Sequence, residues 1–200
     1  MLLDTNESQW NAAPAELGDS VEIGQLLTPL TRFKDRGVQY GIDNGAFSDF
    51  KADGFLSLLD RQKEHRDRCI FVAAPDVVGS ARRTLECFDH WHPKLNGWPL
   101  ALVAQDGQEE LPIPWRIIRA VFIGGSTAWK CGPAAAAIVK AAKVMGKWAH
   151  IGRVNTPDRF AYFESMGADS IDGSGISRFS HMRRNLIDDR PTLLANLEAA

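Results

Sequence analysis

From Val38 onward, short apolar runs alternate with helix-prone stretches, and each run stops at a polar residue or a glycine. Val38 to Ile42 ends at Asp43, Ile70 to Pro75 at Asp76, and Leu100 to Ala104 at Gln105. Ala120 to Ile123 ends at Gly124-Gly125, Trp148 to Ile151 at Gly152-Arg153, and Ala168 to Ile171 at Asp172. Successive endings lie 19 to 33 residues apart, room for one helix and two loops each time, which is the rhythm of βα units. The runs are continuous rather than alternating, as expected of parallel strands covered on both faces. In a parallel barrel the C-terminal strand ends converge on one face, so three aspartates and a glutamine are expected to meet there.

Between the runs the sequence predicts helices over 52 to 66, 80 to 92, 133 to 146, 156 to 166 and 181 to 198. Thr156-Pro157 supplies an N-cap followed by proline at the first helical position, and the alanine-rich stretch from Ala134 has strong helix propensity. Pro112 and Pro114 break the segment 107 to 118, which reads as a short irregular crossover. Residues 1 to 37 are less patterned. Leu2-Leu3 and Val21 to Leu27 read as two further strands, with a loop through Pro14 and Gly18 and a short helix before Gly37. The expected fold is α/β, a small or incomplete (β/α)8 TIM-like barrel in a single domain of residues 1–200. An open doubly wound sheet is the competing architecture, since it also gathers functional residues at strand ends; no GxGxxG phosphate fingerprint follows the first strand.

Composition narrows this picture. A complete barrel of this kind typically needs ~250 residues, against 200 here, so any barrel must be minimal. The formal net charge of -2 gives no bulk attraction to nucleic acid or anionic membrane, while leaving local basic patches open. Cys69, Cys87 and Cys131 are odd in number and far apart, which supports neither a disulfide framework nor a cysteine zinc site. No apolar stretch reaches the ~18 residues of a membrane span. The chain therefore reads as soluble, cytoplasmic, reduced and without a metal or cofactor.

The strand ends then suggest chemistry. Asp43 leaves an apolar run into Asn44-Gly45, which is also ordinary turn chemistry; Asp172 ends a run before Gly173. Two carboxylates facing each other across a barrel mouth suit displacement at an anomeric carbon, one attacking and the other moving a proton. Gln105 offers a donor and an acceptor, and Gly124-Gly125 let backbone approach a flat ligand edge. Those groups suit a heterocyclic base. Asp76 reads either as a base contact or as a cap near Ser80, and Phe47 either as a stacking platform or as core.

On these residues the chain resembles the tRNA-guanine transglycosylases. Gly167 to Arg178 is similar to that family's segment around its nucleophilic aspartate, which places the nucleophile at Asp172. Asp43 to Phe47 resembles the family's Asp-Ser-Gly-Gly-Phe motif, whose aspartate is the acid/base partner. Val103 to Gly107 resembles its Val-Gln-Gly base-binding strand end, Ile123 to Gly125 its glycine pair, and Ile151 to Pro157 its Gly-Val-Gly-Thr-Pro turn. The resemblance runs in order from Gly41 to about Arg178. The chain departs from the family in lacking a cysteine and histidine zinc cluster and an added RNA-binding domain. It is more similar to the superfamily's DNA-directed branch, found on phages and in bacterial modification clusters and acting in the cytoplasm, which exchanges guanine for a 7-deazaguanine base.

The resemblance implies an enzyme, a pentosyltransferase, that exchanges bases in nucleic acid, DNA rather than tRNA, through a covalent aspartyl-sugar intermediate, with a free modified base as co-substrate. The alternatives are a hydrolytic DNA glycosylase that excises a modified base and, more distantly, a nucleoside or metabolite hydrolase. Arg153, Arg178, His181, Arg183 and Arg184 are expected to hold phosphates beside an extruded nucleotide, although Arg183 and Arg184 also fit a solvated helix face.

Overall fold

The structure, a computed structural model, describes residues 1–19 and 21–188. Eight strands form one parallel sheet in chain order: β1 (Leu2–Leu3), β2 (Gly24–Leu27), β3 (Tyr40–Ile42), β4 (Cys69–Ala73), β5 (Leu100–Ala104), β6 (Ala120–Ile123), β7 (Trp148–Ile151) and β8 (Ser170–Ile171). The helices are α1 (Glu7–Leu17), α2 (Ala52–Arg61), α3 (Ala81–Trp91), α4 (Thr127–Lys130), α5 (Pro133–Val144), α6 (Pro157–Ser165), α7 (Ser174–Arg178) and α8 (Ser180–Asp188). This is a nearly closed eight-stranded barrel flanked by helices, of the TIM-barrel type. The strands span only two to five residues, which is how eight βα units fit into 200 residues.

Each strand buries both faces, which explains the uninterrupted apolar runs. Leu2, Leu26, Phe71, Ala73, Ala101, Val103, Ala120 and Phe122 fill the barrel interior. Their neighbours Leu27, Ile42, Val72, Leu102, Val121 and Ile151 face the helices, packing with Leu58, Phe88, Ile138 and Phe163. Fully burying one such side chain contributes about 1.5–3 kcal/mol, so both layers of the core stabilise the barrel.

The helices over 80 to 92, 133 to 146 and 156 to 166 form within a residue or two of expectation. Ser80 and Thr156 cap α3 and α6 by accepting from Arg83 N–H and Arg159 N–H, each at 3.4 Å. The helix expected over 52 to 66 stops at Arg61 and tightens into a 3-10 turn over Lys63–Arg68. Of the helix expected over 181 to 198, residues 189 to 198 lie outside the described residues. The N-terminal reading needs correction. The segment through Pro14 is α1, not a loop, because Asn6 caps it by accepting from Gln9 N–H at 3.0 Å, whereas the stretch before Gly37 carries no helix.

At the seam, no β8–β1 ladder forms among the described residues. The gap is bridged beyond the strand ends. Asp4 N–H donates to Ser177 Oγ at 3.3 Å, and Thr5 Oγ1 donates to Ser177 O at 2.5 Å. Arg183, fully buried on α8, ties α1 to this region: it donates to Glu16 Oε2 at 2.5 Å, to Gln9 Oε1 at 2.5 Å and to Ile176 O at 2.6 Å. Its expected contact with a nucleic-acid backbone is therefore corrected to a role in barrel closure. Removing Glu16 would deprive the fully buried Arg183 of its carboxylate, a loss of roughly 3–5 kcal/mol.

Candidate active site

The C-terminal ends of the strands open into a pocket of about 380 Å³ lined by Asp43, Asn44, Phe47, Asp76, Val103, Gln105, Phe122, Gly124, Arg153, Asp172 and Arg178, among others. Two catalytic and six further expected site residues thus line one cavity. Gly125, His181, Arg183 and Arg184 do not line it; His181 and Arg184 are exposed on α8. Among the described residues, no group of three or more His, Cys, Asp or Glu is arranged to hold a metal ion.

On the β3, β4 and β5 side, the polar ends bind one another. Asp43 Oδ1 accepts from Gly45 N–H at 2.9 Å, so the carboxylate makes the expected turn while facing the pocket. Asn44, buried beside it, donates from Nδ2 to Ala74 O and to Asp76 Oδ1, both at 2.8 Å. Gln105 Nε2 donates to Asp76 Oδ2 at 2.7 Å, and its Oε1 accepts from Gly79 N–H at 3.0 Å. Both ends of Gln105 are therefore engaged within the protein, each by one hydrogen bond, while its side chain lines the pocket. Asp76, ambiguous in sequence, is the acceptor on which both amides converge.

Burial dominates the titration of this side. It pushes the Asp43 carboxyl up to about 7; the Gly45 N–H opposes the shift, and the neighbouring Asp172, Asp76 and Asp4 carboxylates add to it. Burial likewise raises Asp76 against the donors Asn44 and Gln105, and Asp4 against Thr31 and the charge of Arg178. A carboxyl that keeps its proton near neutral pH is equipped as a general acid.

The β7 and β8 side is built differently. His150 sits fully buried inside the barrel, its ring centroid 4.8 Å from that of Phe71 and 4.5 Å from that of Phe122. Trp148 Nε1–H donates to Ser170 Oγ at 2.8 Å, Ser170 Oγ lies 2.8 Å from His150 Nδ1, and His150 Nε2 lies 2.9 Å from Asp172 Oδ2. Burial lowers the His150 pKa despite the bond to Asp172, so the ring is neutral. With the indole able only to donate, the consistent assignment sends the Ser170 hydroxyl proton to Nδ1 and leaves Nε2–H to donate to Asp172. The other carboxylate oxygen, Oδ1, accepts from Arg153 N–H at 3.1 Å. Donors on both oxygens suit a carboxylate that acts as nucleophile.

Arg153 holds a left-handed backbone, φ 61°, a conformation uncommon for a residue with a side chain. The turn is over-determined around it. Its guanidinium donates to Gly124 O at 2.6 Å and Gly125 O at 2.5 Å and lies 4.7 Å from the centre of the exposed Phe47 ring. Buried Lys130 donates to Gly152 O at 2.5 Å, and burial lowers its pKa to about 8. The carbonyls of the glycine pair hold Arg153, and Gly124 also lines the pocket. A Cβ on Gly124 would come within 2.8 Å of Gln105 Nε2, and one on Gly125 within 2.3 Å of the Trp129 ring. Close packing requires both glycines.

Four contributors escaped the sequence reading. Asp4 follows Leu2-Leu3 in the same apolar-then-acid pattern and was recognisable on that ground, and His150 interrupts an apolar run. Asn44 was masked by its turn context, and Lys130 carries no signal in sequence. A scan of the chain against protein-family models finds no match, and a comparison with curated proteins finds none.

Proposed function

We propose that the chain is a base-exchange enzyme of the guanine/7-deazaguanine transglycosylase kind, acting on nucleic acid, DNA before RNA. The observation that carries this reading is the opposition, in one pocket of about 380 Å³, of a donor-held Asp172 and a proton-retaining Asp43. Asp172 attacks C1′ of the sugar as the N-glycosidic bond breaks, and the bond's electron pair leaves with the base. Asp43 delivers its proton to the departing base. In the return step Asp43 takes a proton from the incoming base, whose nitrogen attacks C1′ and releases the Asp172 ester with net retention. Asp76, oriented by Asn44 and Gln105, faces the base.

Mass spectrometry of the intact protein mixed with modified and unmodified DNA tests the reading. A protein–sugar adduct is expected, lost in Asp172→Asn; full base exchange by both Asp172→Asn and Asp43→Asn would overturn it. A hydrolytic glycosylase is the second reading, because a carboxyl titrating near 7 also suits activation of water. Labelled free base entering DNA, rather than base only leaving it, separates the two.

A further inference from the structure

Beside the pocket lies a second cleft of about 740 Å³, walled by the β1–α1 connection, the β2–β3 loop and Arg178. Arg178 lines both cavities, so the cleft adjoins the pocket at this side chain. The cleft has nearly twice the pocket's volume, room for about two further units of the size that the pocket admits.

Its charge is opposite to that of the whole chain. Arg32, Lys34, Arg36 and Arg178 face it, opposed by Asp4 and Glu7, a formal local balance of 4 − 2 = +2 in a chain of net charge -2. Glu7 engages Lys34 at 2.8 Å and Arg36 at 3.3 Å, and the Arg36 guanidinium also packs 4.5 Å from the centre of the Trp10 ring. Arg32 is exposed. Apolar surface accompanies the charge: Leu30 is 88% exposed at the lip and Phe33 lines the wall. Cations along a groove, interleaved with apolar and aromatic side chains, fit a strand whose phosphates need charge and whose unpaired bases need surfaces to stack on.

We infer that this cleft holds the single-stranded nucleic acid flanking the nucleotide whose base enters the pocket, with Arg32 and Lys34 on its phosphates. The inference rests on the proposed function for its choice of polymer. It moves the expected backbone track from α8, where Arg183 is buried, to the loops after β1 and β2.

Binding of a short fluorescent single-stranded oligodeoxynucleotide, followed by anisotropy over a range of salt concentrations, tests it without requiring turnover. Arg32→Gln/Lys34→Gln is expected to weaken binding about tenfold or more and to flatten the plot of log K against log salt by roughly 1.4, at ~0.7 for each phosphate no longer neutralised. Glu7→Gln removes an anion from the cleft and is expected to tighten binding. Arg184→Gln on α8 is expected to leave it unchanged. Unaltered affinity and slope in the double variant, with circular dichroism showing a folded protein, would overturn the inference, as would equal binding of polyglutamate, which carries charge without bases. An oligoribonucleotide of the same sequence distinguishes RNA from DNA as the source of the strand. An adduct on DNA with unaffected binding in the double variant would sink the cleft but spare the proposed function; cleft-dependent binding with no adduct on any substrate would do the reverse.

Discussion

The two sides of the barrel mouth hold their carboxylates with different partners. On β3, β4 and β5, Asp43 and Asp76 meet neutral donors, one backbone N–H and two side-chain amides, and burial pushes both acids up. On β7 and β8, Asp172 receives the end of a donor chain from Trp148 through Ser170 and His150, together with the Arg153 backbone N–H. Aspartates in one pocket thus have different surroundings. Under the proposed function, burial equips Asp43 as the acid, while the donors around Asp172 fix the orientation of the nucleophile.

The largest effect on rate should come from cutting the donor chain. His150→Leu is expected to slow adduct formation about a hundredfold by freeing the Asp172 carboxylate to rotate, with His150→Gln recovering part of the loss because its amide can still donate; equal rates for the two variants would erase the contrast between the sides. The largest effect on stability is one of pH. Because the Asp43 pKa is raised on folding to about 7, the folded state holds a proton that the unfolded chain releases, and this group's contribution to stability falls as pH rises from about 4 to about 7. Asp43→Asn is therefore expected to gain roughly 4 kcal/mol over the parent protein at pH 8, shrinking toward zero below pH 4, as read by urea denaturation. A constant difference across that range would place Asp43 in water rather than in the pocket. The smallest expected effect is that of Gln105→Leu, which strands Gly79 N–H and removes a donor from Asp76. A loss of about 1 kcal/mol is expected, with a steeper loss of base exchange; exchange at the parent rate would show that Asp76 needs no orientation by Gln105.

Much of the architecture was readable before folding. A strand buried on both faces must be apolar throughout, and it must end where its chain turns toward water, so Ile42-Asp43, Pro75-Asp76 and Ile171-Asp172 announced both strand and mouth. Helix starts at Ser80 and Thr156 were equally local, since one side-chain oxygen satisfies a nearby N–H. Pro14 misled because a proline's cost is local while the cap at Asn6 and the packing of α1 on α8 outweigh it. Arg183 misled because a buried arginine and a solvated one look alike in sequence.

Local patterning was thus enough for the positions of most strands along the chain and the acids at their ends, because each depends on residues a few positions apart. How each acid is buried and held, and which cations reach solvent, depended on contacts between residues distant in the chain. His150 meets Asp172 across neighbouring strands and Arg183 meets Glu16 across the seam. Burial and hydrogen-bond direction, the quantities that set charge, exist only once those strands and helices are packed.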